Sequence, residues 1–588
     1  MANHLRPWPI RLQLLKEDRE DNVDENFPDE NSGNNIEEHS EENSNYSESA
    51  EDTEMDVDLE EATLEQHLLK SDARGRPSTT LKGKNGFVWD TRAPECRSDR
   101  HSDVHPELTP GPADAALNVE TIEQFWDLLF NEEIIETIVE QTNNKIEDVC
   151  AHLIAENKVE TYHHHTDVKE IRAYIGVLYF AGLWKSSNID DNRLWDKKNG
   201  ITLYRCVFPR HRFSFLSSCL RFDDKNSREE GDKFAPVRKI WNIFIGNCQR
   251  YYTPSKKCTV DEQLLSFRGR CIFRMYIKSK PNKYGLKVVT LNDAETSYLI
   301  HAIPYLGKSI VRVGDRNESI PEYFFRKVTA PIHGTNRTVT CNNWFTTIPL
   351  LQRMLLDPFN MTITGTIRKN KWEIPAELKV ASKEIPSTKF CHALHLTLLS
   401  HTPKKNKIVL LVSSYMHSRE ITNNKPNIIL HYNETKGGTN SFDQLCHSYT
   451  VTRRTNRWPM RIFFGMLDQA IVNARILWKC KLKAANSNEK YSAIVCLERI
   501  YLHLVTPFLT ERYATSTLRK DLKLAIAGIL KKDVHSDQPY KRLQLTLRQR
   551  CAFCTRKEDK KTREACASCK RPICDNHRIL FCNDCAGS

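Results

Sequence analysis

The chain has 588 residues and a formal net charge of +11, too long for one ordinary core, so three or four domains are expected. It holds no uninterrupted run of about 18 apolar residues that could span a bilayer. Of its 19 cysteines, 7 fall between Cys551 and Cys585 and the other 12 stand singly, which excludes a secreted disulfide framework and fits a reducing compartment with one local metal region.

The charge is divided. Glu17 to Glu65 holds 21 acids against Arg19 alone, a net −20, so with a chain total of +11 the remainder carries +31. A basic body with an acidic arm suits either a nucleic-acid binder with a self-screening tail or a solvated surface with a polar tail. Residues 1–114 bury too little apolar surface to offset chain entropy and are expected to be a disordered acidic arm. Within it, Ser49 and Thr53 each precede an aspartate by three residues, a setting acidophilic kinases accept. Arg74-Gly75-Arg76-Pro77 has the form of an AT-hook core for a narrow minor groove, although so short a run also arises by chance.

From about Val119, TIEQFWDLLFNEEIIETIVEQTN repeats apolar residues at helical spacing. A helix follows in DVKEIRAYIGVLYFAGLW, with Asp167 as N-cap and Glu170 three residues on. His163-His164-His165 before it is a solvated loop rather than a metal site, because adjacent histidines cannot easily face one ion. APVRKIWNIFIGNCQRYY closes a helical block over 115–253. KKCTVDEQLLSFRG, YGLKVVTLND and SYLIHAIPYLG then read as strands, PEYFFRKVTA as a helix, VTCNNWF as a strand, IPLLQRMLL as a helix and MTITGTIR as a strand. That order predicts a ribonuclease H-like α/β core. Residues 368–427 read as an insertion containing the strand KIVLLVSSYM. NIILHY reads as a further strand, followed by a glycine turn at Gly437-Gly438, a helix near Asn440 and the long helical NRWPMRIFFGMLDQAIVNARILWKCKL.

The tail reads Cys551-x2-Cys554-x11-Cys566-x2-Cys569-x4-Cys574-x2-His577-x4-Cys582-x2-Cys585, eight ligands in four close pairs. Thiolate and imidazole pairs at this spacing make two tetrahedral Zn²⁺ sites. In a cross-brace, the first and third pairs (Cys551, Cys554, Cys574, His577) share one ion, and the second and fourth share the other. So small a module has almost no core, so metal binding would supply most of its folding free energy. The basic run Arg548 to Arg563 beside it points to DNA contact or nuclear import.

CTVDEQLLSFRGRCIFRMYIKSKPNKYGLK, FAPVRKIW, TCNNWFTTIPL, GTIRKNKWEIP, NETKGGTNSFDQL, TRRTNRWPM and the eight-ligand Cys/His cross-brace tail together resemble a piggyBac transposase of the insect type, collinearly over about 115–588. The resemblance implies a core in two parts, 254–367 and 428–450, separated by the insertion at 368–427. It also implies helical dimerisation and DNA-binding domains at 115–253 and 451–535, and a zinc domain at 545–588. Partners implied are double-stranded DNA, with terminal inverted repeats and TTAA targets, and a second copy of the chain; the implied location is the nucleus, with no membrane.

In that family, acidic residues of the core bind two Mg²⁺ ions, one activating the attacking oxygen and one stabilising the leaving oxygen. The first family aspartate falls on Asp261, the second on Asn342 and the third on Asn440, with a further aspartate at Asp443. Asn is nearly isosteric with Asp, so the fold should tolerate both exchanges. The loss of two charges weakens Mg²⁺ binding and leaves phosphate repulsion less compensated. Arg368 and Lys371 fall on basic positions beside target DNA, Arg453 and Arg454 form a basic approach to the last helix, and Trp458 lies in the motif bordering the site. The expected function is therefore recognition of transposon-end-like DNA with cut-and-paste cleavage lost or impaired. The alternatives are an active Mg-dependent transposase relying on Asp261 and Asp443, and a chromatin or protein-interaction module using the zinc domain.

Overall fold

The computed structural model describes residues 79–92, 109–278, 280, 282–307, 318–487, 489, 491–532, 543–566 and 569–577. Ser49, Thr53, the AT-hook-like run and the last two cysteines, Cys582 and Cys585, lie outside the described residues.

A hairpin of β1 (Thr80–Lys82) and β2 (Val88–Asp90) comes first, then β3 (Gly111–Pro112), which pairs with β4 (Tyr252–Thr253). Between β3 and β4 lie α1 (Ile122–Leu129), α2 (Glu132–Ala155), α3 (Val168–Leu183), α4 (Asp191–Leu194), α5 (Thr202–Val207), α6 (Arg210–Cys219) and α7 (Ala235–Arg250). Local chemistry sets their boundaries. Thr121 and Gln124 form a capping box at the start of α1, and Asn131 accepts the Ile134 amide, so the long helical repeat divides into α1 and α2. Asp167 caps α3 through the Glu170 amide. The Glu170 side chain turns inward instead and meets Arg212, both nearly fully buried, at 2.6 Å. Arg212 also donates to the carbonyls of Tyr162, His164 and His165, so the histidine run supplies backbone acceptors to a buried guanidinium.

The sheet is built from β5 (Lys257–Ser266), β6 (Arg274–Tyr276), β7 (Tyr284–Asp293), β8 (Leu299–Pro304), β9 (Thr338–Cys341) and β10 (Thr362–Thr366), with α8 (Ile320–Val328) and α9 (Ile348–Met354) in the connections. Five strands lie in the order β8-β7-β5-β9-β10. The β5–β9 and β9–β10 pairs are parallel, and the β5–β7 and β7–β8 pairs antiparallel. One face of β5 and β7 is polar: Thr259 opposes Asn292 and Asp261 opposes Thr290, with Gln263 two residues on.

Residues 368–427, expected as an insertion, extend this sheet. β10 pairs with β13 (Lys407–Ser413), then β12 (Leu396–Lys404), β11 (Ser387–Ala393) and the β1–β2 hairpin follow. The hairpin itself corrects the expectation of disorder throughout 1–114. Its apolar run is too short to register as a strand, yet Trp89 is fully buried and its indole N–H donates to the Glu373 carbonyl at 2.7 Å. At Gly83 a Cβ would fall 2.5 Å from the Trp372 carbonyl oxygen, so only glycine permits the contact.

After β14 (Ile421–Thr422) and β15 (Lys425–Pro426) come α10 (Asn427–Thr435), α11 (Gly438–Ser448), α12 (Trp458–Ala484), α13 (Ala493–Ala514), α14 (Lys520–Ile529), and the β16 (Leu543–Arg550) and β17 (Lys561–Ala565) pair. NIILHY, expected as a strand, lies in α10. A short apolar run does not separate helix from strand by period, and its buried Ile428, His431 and Thr435 recur at helical spacing. α13 is long and apolar enough to cross a membrane by length and composition, although Glu498, Arg499 and His503 interrupt its apolar sequence. Its Leu504 and Val505 pack closely at Gly176 of α3.

The hairpin is fastened through His392 on β11, which pairs with Asp90. Arg419 donates to His392 Nε2 at 3.1 Å and to the Thr91 carbonyl. Burial, then the Arg419 and His417 charges, lower the His392 pKa from 6.5 to about 4, against the pull of Asp90. The unfolded chain therefore takes up this proton before the folded one does. The contribution is complete above pH 6.5 and is lost as pH falls toward 4. Hydrogen exchange at the Trp89 indole should accelerate over that window, and His392→Gln should remove that pH dependence.

Candidate active-site core and metal centre

Parallel pairing of β5 with β9 ends at Val260 and Cys341. The next residues lie side by side past the end of that pairing: Asn342 directly follows β9, and Asp261 sits in the middle of β5, still paired with Thr290 of β7. Asn342 Oδ1 accepts the Trp344 amide at 2.9 Å, and its Nδ2 donates to Asp261 Oδ1 at 2.8 Å and Glu262 Oε2 at 3.2 Å. The Trp344 N–H fixes the amide orientation, because only the oxygen can accept it.

Glu262 was not identified from the sequence, where strand alternation would point it away from Asp261. Loss of β9 pairing beyond Val260 lets both carboxylates reach Asn342. The nearly buried Lys287 lies with its Nζ 3.5 Å from the Trp344 ring centroid, and Lys280 donates to the Glu262 carbonyl at 2.9 Å. Burial first, then the charge of Glu262, push Asp261 up to about 7. Burial would raise Glu262 too, but the Lys287 charge and the hydrogen bonds from Asp261 and Asn342 hold it below the usual carboxylate range. Burial lowers Lys287 against the pull of both acids.

The helix α11 supplies the other two sequence-identified positions. It seats closely because Gly438 faces Thr259, where a Cβ would come within 2.7 Å of the hydroxyl, and because Thr439 donates to Asn292 at 2.9 Å. Asn440 is exposed and Asp443 half-buried. Asp443 accepts from Gln263 Nε2 at 2.9 Å and lies 3.4 Å from His447 Nδ1, while Gln469 donates to Gln263 Oε1 at 2.8 Å. Asp443 is thus tied to β5 two residues beyond Asp261. The set does not fit a divalent cation between Asp261 and Asn342. A hard cation requires oxygen ligands, and Asn342 presents N–H groups there; presenting its oxygen would release the Trp344 amide.

The basic positions separate into two groups. Arg368 and Arg454 are exposed and Lys371 is half-buried. Arg368, Asn370, Lys371, Trp372 and Glu373 line a cavity of about 330 Å³ with Asn85 of the hairpin. Trp372 is 68% exposed, a bare indole among basic residues that sequence reading passed over because one tryptophan carries no period. Arg453, expected on DNA, pairs instead with Asp191 at 2.6 Å and donates to the Ile189 carbonyl. Trp458 likewise packs inward, stacked on Phe234 and edge-on to Phe273. Both lie near the motif that suggested them but join helices to the core.

In the tail, Cys551, Cys554, Cys574 and His577 present ligand atoms all within 4.8 Å of one another. The first and third pairs meet, as the cross-brace expectation requires. Sγ–Nδ1 and Sγ–Sγ separations run from 3.4 to 3.7 Å, and the Cys574 amide donates to Cys551 Sγ. This donor set could hold a metal ion. Cys566 is buried and Cys569 exposed, and the other half of their expected site lies outside the described residues.

The family described as Transposase IS4 matches residues 123–475. Human PiggyBac transposable element-derived protein 3 is 23% identical over 396 residues, 62% of this chain and 63% of that protein. Human PiggyBac transposable element-derived protein 2 is 21% identical over 410 residues, 63% and 64% respectively. The chain thus spans less than two thirds of these curated relatives. The cryo-EM structure of a piggyBac transposase synaptic complex with hairpin DNA aligns with a TM-score of 0.70 and 36% identity, over 81% of this chain and 99% of that one.

Asn342→Asp replaces the amide donor with a third carboxylate beside Asp261 and Glu262. Without divalent cation it should cost about 1–3 kcal/mol, read as a melting temperature lower by several degrees. Millimolar Mg²⁺ should restore the variant and leave the parent unmoved.

Proposed function

Because the chain belongs to the piggyBac transposase family, we propose that it binds transposon-end-like DNA and that its cut-and-paste chemistry is lost or impaired. The observation that carries this reading is the Asn342 amide, which donates to both Asp261 and Glu262 where the family mechanism needs an anionic oxygen ligand. The second exchange, at Asn440, removes another charge from the same end of the sheet. The order β8-β7-β5-β9-β10, with two parallel pairs beside an antiparallel hairpin, supports a ribonuclease H-like core, split at 254–367 and 428–450. The blocks at 115–253 and 451–535 are then the helices that hold DNA and a second copy of the chain.

In this reading Arg368, Lys371 and the exposed Trp372 face DNA, two cations for phosphates and an indole for an unstacked base. The C-terminal module at 545–588 holds two structural Zn²⁺ ions, and the protein works in the nucleus. The Cys/His cluster also favours a second reading, in which the tail engages a chromatin protein and the core is scaffold. Sequence-specific binding that survives deletion of 545–588 assigns recognition to the helical blocks; its complete loss assigns it to the tail.

An excision assay on a donor with matching terminal repeats tests the main reading. The parent should leave the donor uncut, and precise repair at TTAA would overturn the loss of chemistry. Asn342→Asp with Asn440→Asp should regain cleavage if missing charge is the defect. Arg368→Ala with Lys371→Ala should flatten the salt dependence of DNA binding by about 2 in log–log slope. Chelation with 1,10-phenanthroline should expose the tail to protease and leave the melting of the core unchanged.

A further inference from the structure

A second cavity, of about 700 Å³, opens where α4, α5 and α6 meet the α13–α14 corner. Its walls carry Lys197, Arg205, Arg210, Arg512 and Arg519, with Phe208 among the apolar residues. Asp196 also lines it, but its carboxylate accepts the amides of Lys198 and Asn199 at 2.9 and 2.7 Å. Arg519 is matched by Asp521 at 2.9 Å. Arg205 and Arg512 are different. The Nε of each is buried and has no hydrogen-bond partner among the described residues, and Arg512 spends another N–H on the Arg205 carbonyl at 3.5 Å.

Desolvating a guanidinium without an acceptor is costly, and this fold elsewhere satisfies one in full, as Arg212 shows with Glu170 and three carbonyls. Among the described residues neither Arg205 nor Arg512 forms an ion pair, and with Lys197 and Arg210 they turn a cationic wall to the cavity, which suits an anion with several oxygens. The cavity has room for a phosphate group with part of what it is attached to, and guanidinium forks match phosphate geometry.

We infer that this cavity is a phosphate-binding site, separate from the carboxylates of the core, with Arg205 and Arg512 as its floor and Lys197 and Arg519 at its mouth. The phosphate comes either from the backbone of bound DNA, which rests on the DNA-binding reading above, or from a free polyphosphate, which does not.

The test titrates the full zinc-loaded chain with inorganic tripolyphosphate by calorimetry and measures duplex DNA binding across salt concentrations. Tripolyphosphate should bind and raise the melting temperature, and R205Q/R512Q should weaken it at least tenfold. A second variant, K197Q/R519Q, alters only exposed side chains, keeps the test valid if the R205Q/R512Q chain fails to fold, and should weaken binding at least threefold. If DNA is the source, tripolyphosphate should compete with the duplex, and the salt slope of R205Q/R512Q should fall by about 2. Tripolyphosphate binding with an unchanged slope, or with no DNA binding by the parent, keeps the site and assigns it a free ligand. No tripolyphosphate binding at millimolar concentration together with an unchanged slope overturns the inference.

Discussion

The arrangement of the core depends on where one parallel pairing stops. β5 and β9 run together as far as Val260 and Cys341, and the two chains then part with Asp261 and Asn342 adjacent. With a carboxylate at both positions, like charges in a half-buried crevice would repel, and a cation would have to hold them. With the amide, a neutral donor bridges Asp261 and Glu262 while its oxygen closes the turn at Trp344. The crevice is thus closed by the chain's own hydrogen bonds.

The surroundings support that state. Lys287 is nearly buried against Trp344 and is drawn by both acids, so a protein cation offsets negative charge in the crevice. On the other side, the polar face of β5 and β7 is sealed by α11 through Thr439 and Asn292 and through Gln263 and Asp443. Buried polar groups paired this fully fix the helix in one position. Asp443 is accordingly bound to Gln263 rather than poised over Asp261.

Much of this was legible in the sequence. The strands around Asp261 and Asn342 and the helices flanking them followed from period and composition, because long amphipathic or apolar segments carry their own signal. The pairing of the first and third ligand pairs in the tail followed from spacing. Glu262 was not legible, since its approach to Asn342 depends on where β9 leaves the sheet. Nor were the inward roles of Arg453 and Trp458: a basic or aromatic residue near a family motif looks the same whether it meets DNA or a neighbouring helix. The hairpin at 79–92 was missed because its place is set by Trp89 and Gly83 meeting backbone about 290 residues away.

The arginines show how far charge alone can be read. Basic residues are satisfied internally: Arg453, one of the expected DNA contacts, by Asp191, and Arg499 by Glu123 and Glu489. A net charge of +31 outside the acidic segment thus overstates the charge available to a partner. What distinguishes a binding cation is unmet hydrogen-bonding capacity in a place water cannot fill cheaply, which is a property of geometry. Exposed Arg368 meets the first half of that description, and half-buried Arg205 and Arg512, each with a buried Nε, the second. On the proposed readings, anion recognition would therefore rest on a few side chains that pair with no carboxylate among the described residues, rather than on the whole of the basic surface.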